Sequence, residues 1–260
     1  MLRNIFTYRR YLLGSFWTDL RYRYAGTALG FFWFIINPLL EVFIYAVVFT
    51  QLISIRSGGG RGVSYTLFLV SGLFPWLAFS QFINRGSNAI IASALYLRRS
   101  LIPPEVFVFK EMLMALFSLL IYLILILPVS IIVKNQMTWT ALLLPLFALL
   151  LLLLGFGLSL ALANLRVLFP DMSEIVAFVL QLWRWTLPIM YTDTTFPVVL
   201  RQIMKLNPPY YFIQSFRDAI IEHVLPTNTA WLMMLFWIVA SLGLGSIVSS
   251  KLHSEVKDLL

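Results

Sequence analysis

Residues 135–165 read NQMTWTALLLPLFALLLLLLGFGLSLALANL, which is 31 consecutive residues without a charged side chain. About 20 mainly apolar residues are enough for a helix to cross the hydrocarbon core of a bilayer. Residues 112–133 and 224–250 are also uncharged and long enough. The sequence therefore predicts three transmembrane helices, near residues 110–133, 140–163 and 229–250.

The composition of the whole chain agrees with a membrane protein. Of its 260 residues, 60% are hydrophobic and 12% are charged, whereas a soluble domain has roughly 25% charged residues. The absence of cysteine excludes disulfides and thiolate metal sites, and two histidines are too few for a multi-histidine metal centre. We therefore predict an all-α integral membrane protein with no metal site.

Three further apolar stretches are interrupted by proline, glycine or charge. They are residues 29–54 (with Pro38 and Glu41), 64–84 (with Gly72 and Pro75) and 174–191 (with Arg184 and Pro188). Together with the uncharged stretches they make six predicted spans. An even number of spans places both termini on the same side of the membrane.

The net charge of +8 has two interpretations, a nucleic-acid partner or a topology signal. Basic residues concentrate in cytoplasmic loops of membrane proteins. If the N-terminus is inside, twelve of the 19 Lys and Arg residues fall in cytoplasmic segments and six in external segments. This asymmetry favours cytoplasmic N- and C-termini and makes a nucleic-acid partner unnecessary.

Residues 1–28 do not resemble a signal peptide, because no apolar core precedes a cleavage site. They predict an amphipathic helix at the inner membrane surface. Its apolar side comprises Ile5, Phe6, Leu12, Leu13, Phe16, Trp17, Leu20 and Tyr24. We expect five spans within residues 29–191, a span at 229–250 and a cytoplasmic tail at 251–260.

Two connections are unusual. Residues 85–104 form a predicted cytoplasmic segment with helical character that ends at Pro103 and Pro104. Residues 192–228 form a long external segment, divided by Asn207, Pro208 and Pro209 into two short apolar pieces. The pieces predict a periplasmic re-entrant helical hairpin between spans five and six, since such backbone is tolerated only where protein or a cavity surrounds it.

Sequence motifs for catalysis are absent. The chain has no G-x-x-x-x-G-K-[ST] loop, no H-E-x-x-H and no G-x-S-x-G. Asp171 and Glu174 could be paired carboxylates, but their spacing favours a helix capping box at the start of span five. We therefore expect no catalytic site on this chain.

Two charges lie deep within predicted spans, Glu41 and Arg184. Such charges usually face a cavity or a partner. Arg184 could form an ion pair with Glu41, reach the outer interface, or attract a phosphate-bearing substrate, which guanidinium groups bind well. Trp183 and Trp185 flank Arg184 too deeply for an interfacial belt, which leaves packing or the lining of a path for sugars.

Several motifs carry a resemblance to a known family. They are Arg23-Tyr24, Leu29-Gly30-x-x-Trp33, Asn37-Pro38-Leu39, Ser71-Gly72-Leu73-Phe74-Pro75-Trp76, Asn164 with Phe169-x-Asp171-x-x-x-Ile175, and Asn207-Pro208. From about residue 15 to the C-terminal tail, the chain resembles the permease subunits of type-2 ABC exporters for O-antigen and capsular polysaccharides, the O-antigen permeases above all. Teichoic-acid exporters share the architecture. Arg184 departs from the family, in which an aromatic residue is more usual.

The resemblance implies a bacterial inner-membrane permease that moves a lipid-linked polysaccharide outward. It implies a homodimer with two copies of a separate ATP-binding subunit, so ATP and Mg²⁺ would bind that partner and no cofactor would bind this chain. Coupling to the partner would involve Ser93, Tyr96, Arg98 and Arg99. The candidate gate residues are Asn207 and Pro208, and the candidate sugar contacts are Trp33, Tyr45, Trp183, Trp185 and Tyr191.

Three arginines are candidates for the phosphates of a lipid carrier, namely Arg21, Arg23 and Arg184. Anchoring to lipid headgroups is an equal alternative for Arg21 and Arg23. Three other functions remain open: a stand-alone secondary transporter or channel, an exporter of another envelope polymer such as teichoic acid or capsule, and a membrane enzyme. Against a secondary transporter, the spans contain few proton- or ion-relay groups and the sequence shows no inverted repeat. Against a membrane enzyme, the sequence offers no nucleophile with a paired base.

Overall fold

The structure is a computed structural model that describes residues 6–22, 30–57, 62–99, 102–132, 138–191, 197–252 and 255–256. Within these ranges the chain is helical and contains no strand, which confirms the predicted all-α class. The helices are α1 (Arg9–Tyr22), α2 (Trp33–Ser57), α3 (Gly62–Ala92), α4 (Ala94–Arg99), α5 (Pro104–Ile132), α6 (Leu144–Leu168), α7 (Met172–Trp185), α8 (Val198–Lys205), α9 (Tyr210–Arg217) and α10 (Asn228–Lys251).

Four stretches of helix are long and apolar enough to cross a bilayer, counted over the described residues. They are Tyr65–Ala92, Pro104–Ile131, Trp139–Leu168 and Asn228–Lys251. The last three correspond to the uncharged stretches of the sequence. The helix of the predicted cytoplasmic segment ends at Arg99, before Pro103 and Pro104, and Pro104 begins α5, where its missing N–H costs no helical hydrogen bond.

α3 is the central helix and extends beyond its predicted end. It was expected to stop near residue 84, but it continues to Ala92 through the segment predicted as cytoplasmic. Pro75 lies inside it without ending it. Phe74 and Phe79, both fully buried, place this helix at the middle of the core, and it packs against α5 and α6.

α6 and α10 cross in close contact at two glycines. The backbone carbonyl of Gly157 on α6 occupies the space that a side chain on Gly245 of α10 would need, and a side chain on Gly157 would meet the backbone of Ser241. Only a residue without a side chain lets two helix backbones approach this closely. The uncharged stretch at residues 135–165 is therefore also a packing surface.

α1 lies against the start of α5. Lys110 forms an ion pair with Asp19 at 2.5 Å, and Tyr11 packs edge-on against Phe107 with 5.9 Å between ring centroids. Burial raises the pKa of the Tyr11 hydroxyl. Of the predicted apolar side, Leu12 is buried against the bundle, whereas Leu13 and Trp17 are exposed.

α7 starts as predicted but without the predicted capping box. Asp171 is the N-cap residue, yet its carboxylate makes no hydrogen bond to the first turn. Its backbone has helical angles, φ −71° and ψ −8°, whereas a capping side chain requires an extended backbone to reach the N–H groups ahead of it. α7 has 14 residues and a length of about 21 Å, which is shorter than a bilayer core.

In the segment of the predicted hairpin, the chain forms α8 and α9, which are separated by a break at Asn207, Pro208 and Pro209, as predicted. Its two helices differ in environment. α9 is buried through Phe212, Ile213 and Phe216. α8 exposes Val198, Val199, Leu200 and Ile203. α9 therefore belongs to the core, whereas α8 lies at the surface.

Candidate functional site

Arg184 and Glu41 form an ion pair that joins α7 to α2. The Nη1 atom of Arg184 donates a hydrogen bond to Glu41 Oε1 at 3.0 Å. The guanidinium also lies 5.4 Å from the Tyr45 ring centroid and 5.9 Å from that of Trp185. Of the alternatives open from the sequence, the structure therefore shows the ion pair.

This ion pair lies at the edge of the helix bundle. The Arg184 and Glu41 side chains are 20% and 32% exposed, while the neighbouring Phe43 and Leu182 are exposed apolar residues. Charged groups within a membrane protein almost always face the bundle interior or a water-filled cavity. The ion pair thus places two charges where α2 and α7 meet, and we refer to this place as the seam between α2 and α7.

Trp183 points away from this seam. Its ring packs edge-on against Trp76 and Phe79, with ring centroids 6.1 and 5.9 Å apart. Its Nε1 donates a hydrogen bond to Asn207 Oδ1 at 2.7 Å. Asn207 Nδ2 in turn donates to Thr186 Oγ1 at 2.8 Å. The candidate gate residue Asn207 therefore holds the end of α7 through two bonds.

After α7 the chain runs in an irregular conformation through residues 186–191. Leu187, Ile189 and Met190 are buried there. Two side chains from other elements satisfy its carbonyls: Arg217 Nη2 donates to Ile189 O at 2.8 Å, and the Tyr65 hydroxyl donates to Met190 O at 2.9 Å. Non-helical backbone is tolerated at membrane depth when protein surrounds it and satisfies its polar groups.

Arg217 is a buried cation that the sequence reading counted only as an external basic residue. It is 4% exposed, and its guanidinium lies 3.8 Å from the Phe68 ring centroid. Gly72 leaves room for it, since a Cβ there would be 2.8 Å from Arg217 Nη2. The helical spacing of Tyr210, Ile213 and Arg217 on one face could have revealed its burial.

The remaining sugar-contact candidates divide between two places. Tyr191 donates a hydrogen bond from its hydroxyl to the Trp185 carbonyl, so it lies close to the ion pair. Trp33 is half-buried at the start of α2, 12 residues before Tyr45 and about 18 Å from it along the helix. The structure therefore brings Tyr45, Trp185 and Tyr191 together and leaves Trp33 apart.

The residues predicted for the inner face lie on α1 and around α4. Arg21 is exposed on α1, where it lines an open groove with Trp17 and Thr18. Arg23 lies outside the described residues. Ser93 is buried in the turn before α4, and its carbonyl accepts the N–H groups of Tyr96 and Leu97 at 3.0 Å.

Among the described side chains of α4, Leu95 and Tyr96 are exposed. The helix ends at Arg99, and the side chains of Arg98 and Arg99 lie outside the described part of the structure. Ser93 thus shapes the turn, and Tyr96 presents its ring on the surface. Pro208 follows Asn207 at the hairpin break and is half-buried.

Comparison with known proteins defines the class. The ABC-2 type transporter family matches residues 12–221, and the chain belongs to this family of membrane transport proteins. The chain is 28% identical to the O-antigen export system permease protein RfbA of Myxococcus xanthus, with 93% of this chain and 94% of the relative covered.

Two other relatives are similar over most of their length. RfbA of Klebsiella pneumoniae is 25% identical, with 93% of this chain and 92% of the relative covered. The polysialic acid transport protein KpsM of Escherichia coli is 23% identical, with 88% of each chain covered. The predicted resemblance to permeases for O-antigen and capsular polysaccharides is thus confirmed.

Proposed function

We propose that this chain is the channel-forming permease subunit of an ATP-driven exporter that moves a lipid-linked polysaccharide, O-antigen or a similar glycan, across the bacterial inner membrane. The observation that carries the proposal is the full-length similarity to O-antigen export permeases. The relative that transports polysialic acid favours a capsular polymer as a second candidate cargo.

The glycan passes along the seam between α2 and α7. Support comes from the Glu41–Arg184 pair, which needs water or protein beside it and would be costly against lipid. Aromatic rings at the same place, Tyr45 and Trp185, offer flat faces to the C–H groups of sugars. Such contacts hold many sugar units weakly, as a conducting path requires.

The exporter contains two copies of this chain and two copies of an ATP-binding subunit, which binds ATP and Mg²⁺. The lipid-linked end of the glycan enters from the inner leaflet past Arg21 and Arg23, whose charges suit a pyrophosphate. ATP cycles in the partner then open and close the path. No step of ATP hydrolysis falls to this chain.

The topology has six spans with cytoplasmic termini, and α8 and α9 form the periplasmic re-entrant hairpin. The short α7 supports this arrangement, because about 21 Å of helix does not reach across the bilayer core. The buried segment at residues 186–191 and the hairpin complete the crossing. Asn207 and Pro208 lie where the hairpin turns and act as the external gate.

The α4 region couples the permease to the ATPase, with Leu95 and Tyr96 exposed for contact. In the assembled exporter, Arg98→Glu together with Arg99→Glu should lower both glycan export and stimulated ATP hydrolysis while the chain still inserts. Unchanged values of both would remove α4 from the docking surface.

The function as a whole is tested by deleting the gene in its host and restoring it on a plasmid. Loss of the chain should leave lipid-linked glycan at the inner face of the membrane, and restoration should return it to the surface. The chain purified from native membranes should bring an ATP-binding subunit with it. Surface glycan that persists without the chain, or without that ATPase, contradicts the proposal.

A further inference from the structure

We propose that Glu41 sets the charge preference of the transport path: by neutralising Arg184 it adapts the path to an uncharged glycan and keeps it from selecting a polyanion. The inference rests on the proposed function, because it assigns a substrate class to the same path. Glu41 is a specificity-determining residue in this proposal, and Arg184 is the group on which it acts.

The first step is the local charge balance. The other charges of the two helices are Arg56 on α2 and Glu174 on α7, which are 15 and ten residues away in sequence. Along a helix these separations are about 22 and about 15 Å, so neither of these charges can contact the pair. Of the charges on α2 and α7, the Glu41–Arg184 pair is therefore the one that sets the charge at this part of the seam.

The second step is the effect of removing one partner. Glu41 is the only carboxylate bound to Arg184 among the described residues, and Arg184 Nε has no hydrogen-bond partner there. Without Glu41 the guanidinium would keep its charge beside Tyr45 and Trp185. A cation next to aromatic rings suits a carboxylated sugar, since guanidinium binds carboxylate bidentately.

The third step is the chemistry of the intact pair. A guanidinium donates hydrogen bonds and a carboxylate accepts them. The pair can therefore both donate hydrogen bonds to sugar hydroxyl groups and accept hydrogen bonds from them, while its net charge stays zero. The Tyr45 and Trp185 rings provide stacking contacts that do not depend on the charge of the sugar. The wild-type seam should accordingly bind a neutral glycan at least as tightly as an anionic one.

The experiment uses the full chain purified with its ATP-binding partner and two soluble probes of equal length, maltoheptaose as a neutral chain and oligosialic acid as an anionic one. Equilibrium binding gives the ratio of the two affinities. In Glu41→Gln the ratio should move toward oligosialic acid by about tenfold, and in Arg184→Gln it should move away by a similar factor. Both shifts should shrink in 1 M salt.

Two controls separate charge preference from folding. Glu174→Gln removes the same charge from the exposed start of α7 and should keep the wild-type ratio. The double variant Glu41→Arg with Arg184→Glu restores an ion pair in reverse and should also keep it. Because the two single variants shift the ratio in opposite directions, a general loss of structure cannot imitate the result.

The outcomes are distinct from those of the export experiment. If Glu41→Gln and Arg184→Gln keep the wild-type ratio, or if the wild-type complex binds neither probe, the charge-preference proposal is overturned even when the chain still exports glycan. If the chain exports no glycan in its host, the proposed function itself fails.

Discussion

Trp183 and Asn207 are joined by a hydrogen bond of 2.7 Å from the indole Nε1 to the amide Oδ1. The bond connects the last turn of α7 to the break between α8 and α9. Asn207 also binds Thr186, whose hydroxyl donates to the Trp183 carbonyl at 2.8 Å. The end of α7 and the hairpin are thus held as one unit, and any displacement of α7 would reach the hairpin through this amide.

Replacing Asn207 with Ala should loosen this unit. The change removes two hydrogen bonds and leaves Trp183 Nε1 without its acceptor, at a cost of about 1–3 kcal/mol. The melting temperature of the purified chain should fall by about 3–8 °C. Gln202→Ala, which removes an exposed amide from the adjacent α8, should leave it unchanged, and equal melting of the two variants would contradict this role.

Trp183 and Trp185 should behave differently although they are close in sequence. Trp185→Ala removes a half-exposed ring beside the ion pair and should slow glycan export by about threefold while the protein stays folded. Trp183→Ala removes a ring packed on Trp76 and Phe79, so it should destabilise the chain by about 3–5 kcal/mol. Export rates and thermal melting of both variants provide the measurement, and normal export by Trp185→Ala would exclude its ring from the path.

Gly157 should tolerate no side chain. Gly157→Val places two methyl groups against the α10 backbone at Ser241, and the strain should destabilise the chain by about 3 kcal/mol. Gly243 on α10 has open space where a Cβ would be, so Gly243→Ala should be neutral or stabilise the helix by about 0.5–1 kcal/mol. Fluorescence-detected size-exclusion chromatography after heating measures the folded fraction of the two variants. Equal folded fractions would contradict a close helix crossing at Gly157.

Asp19 should anchor the interface helix. In the variant Asp19→Asn, the ion pair between Lys110 and Glu111 at 3.4 Å remains, but α1 loses its ion pair with α5. Amide exchange in Arg9–Tyr22 should accelerate about two- to fivefold, the range expected for a partly exposed ion pair. Arg10→Gln removes an exposed charge from the same helix and should not change exchange; acceleration in both variants would indicate a general effect of helix charge.

The proposed orientation in the membrane can be tested by labelling single-cysteine variants, because the natural chain contains no cysteine. Leu225, 50% exposed before α10, is external in this topology, and Leu95, 70% exposed on α4, is cytoplasmic. A membrane-impermeant maleimide should label Leu225→Cys in intact spheroplasts and Leu95→Cys only in inverted vesicles. The reverse pattern would invert the topology.

The sequence alone identified the membrane class, three of the long helices and the break in the hairpin. These features depend on local composition: an uncharged stretch such as residues 135–165 must be shielded from water whatever surrounds it, and Pro208 and Pro209 interrupt a helix wherever they occur. The resemblance to the family could also be identified from the sequence, because its motifs are short stretches of neighbouring residues that can be recognised without the fold.

The sequence did not determine which side of each element meets which neighbour. Trp183 and Trp185 are the same type of residue and lie two positions apart, yet Trp183 packs on α3 and Trp185 lies beside the ion pair. Arg217 was read as a loop charge, and only the fold showed it buried over Phe68 with its hydrogen bond to Ile189. Partners far apart in the chain decide these contacts, and their distances do not follow from local pattern.

The membrane class, the long apolar helices and the presence of two charges within apolar stretches therefore follow from local chemistry, because transfer of charge or apolar surface between water and lipid has a large free-energy cost for each residue. The tertiary structure decided that Glu41 meets Arg184 across 143 positions of sequence and that Asn207 holds Trp183. Both contacts require helices brought together by the packing of the whole bundle, where small residues such as Gly157 set how closely backbones approach.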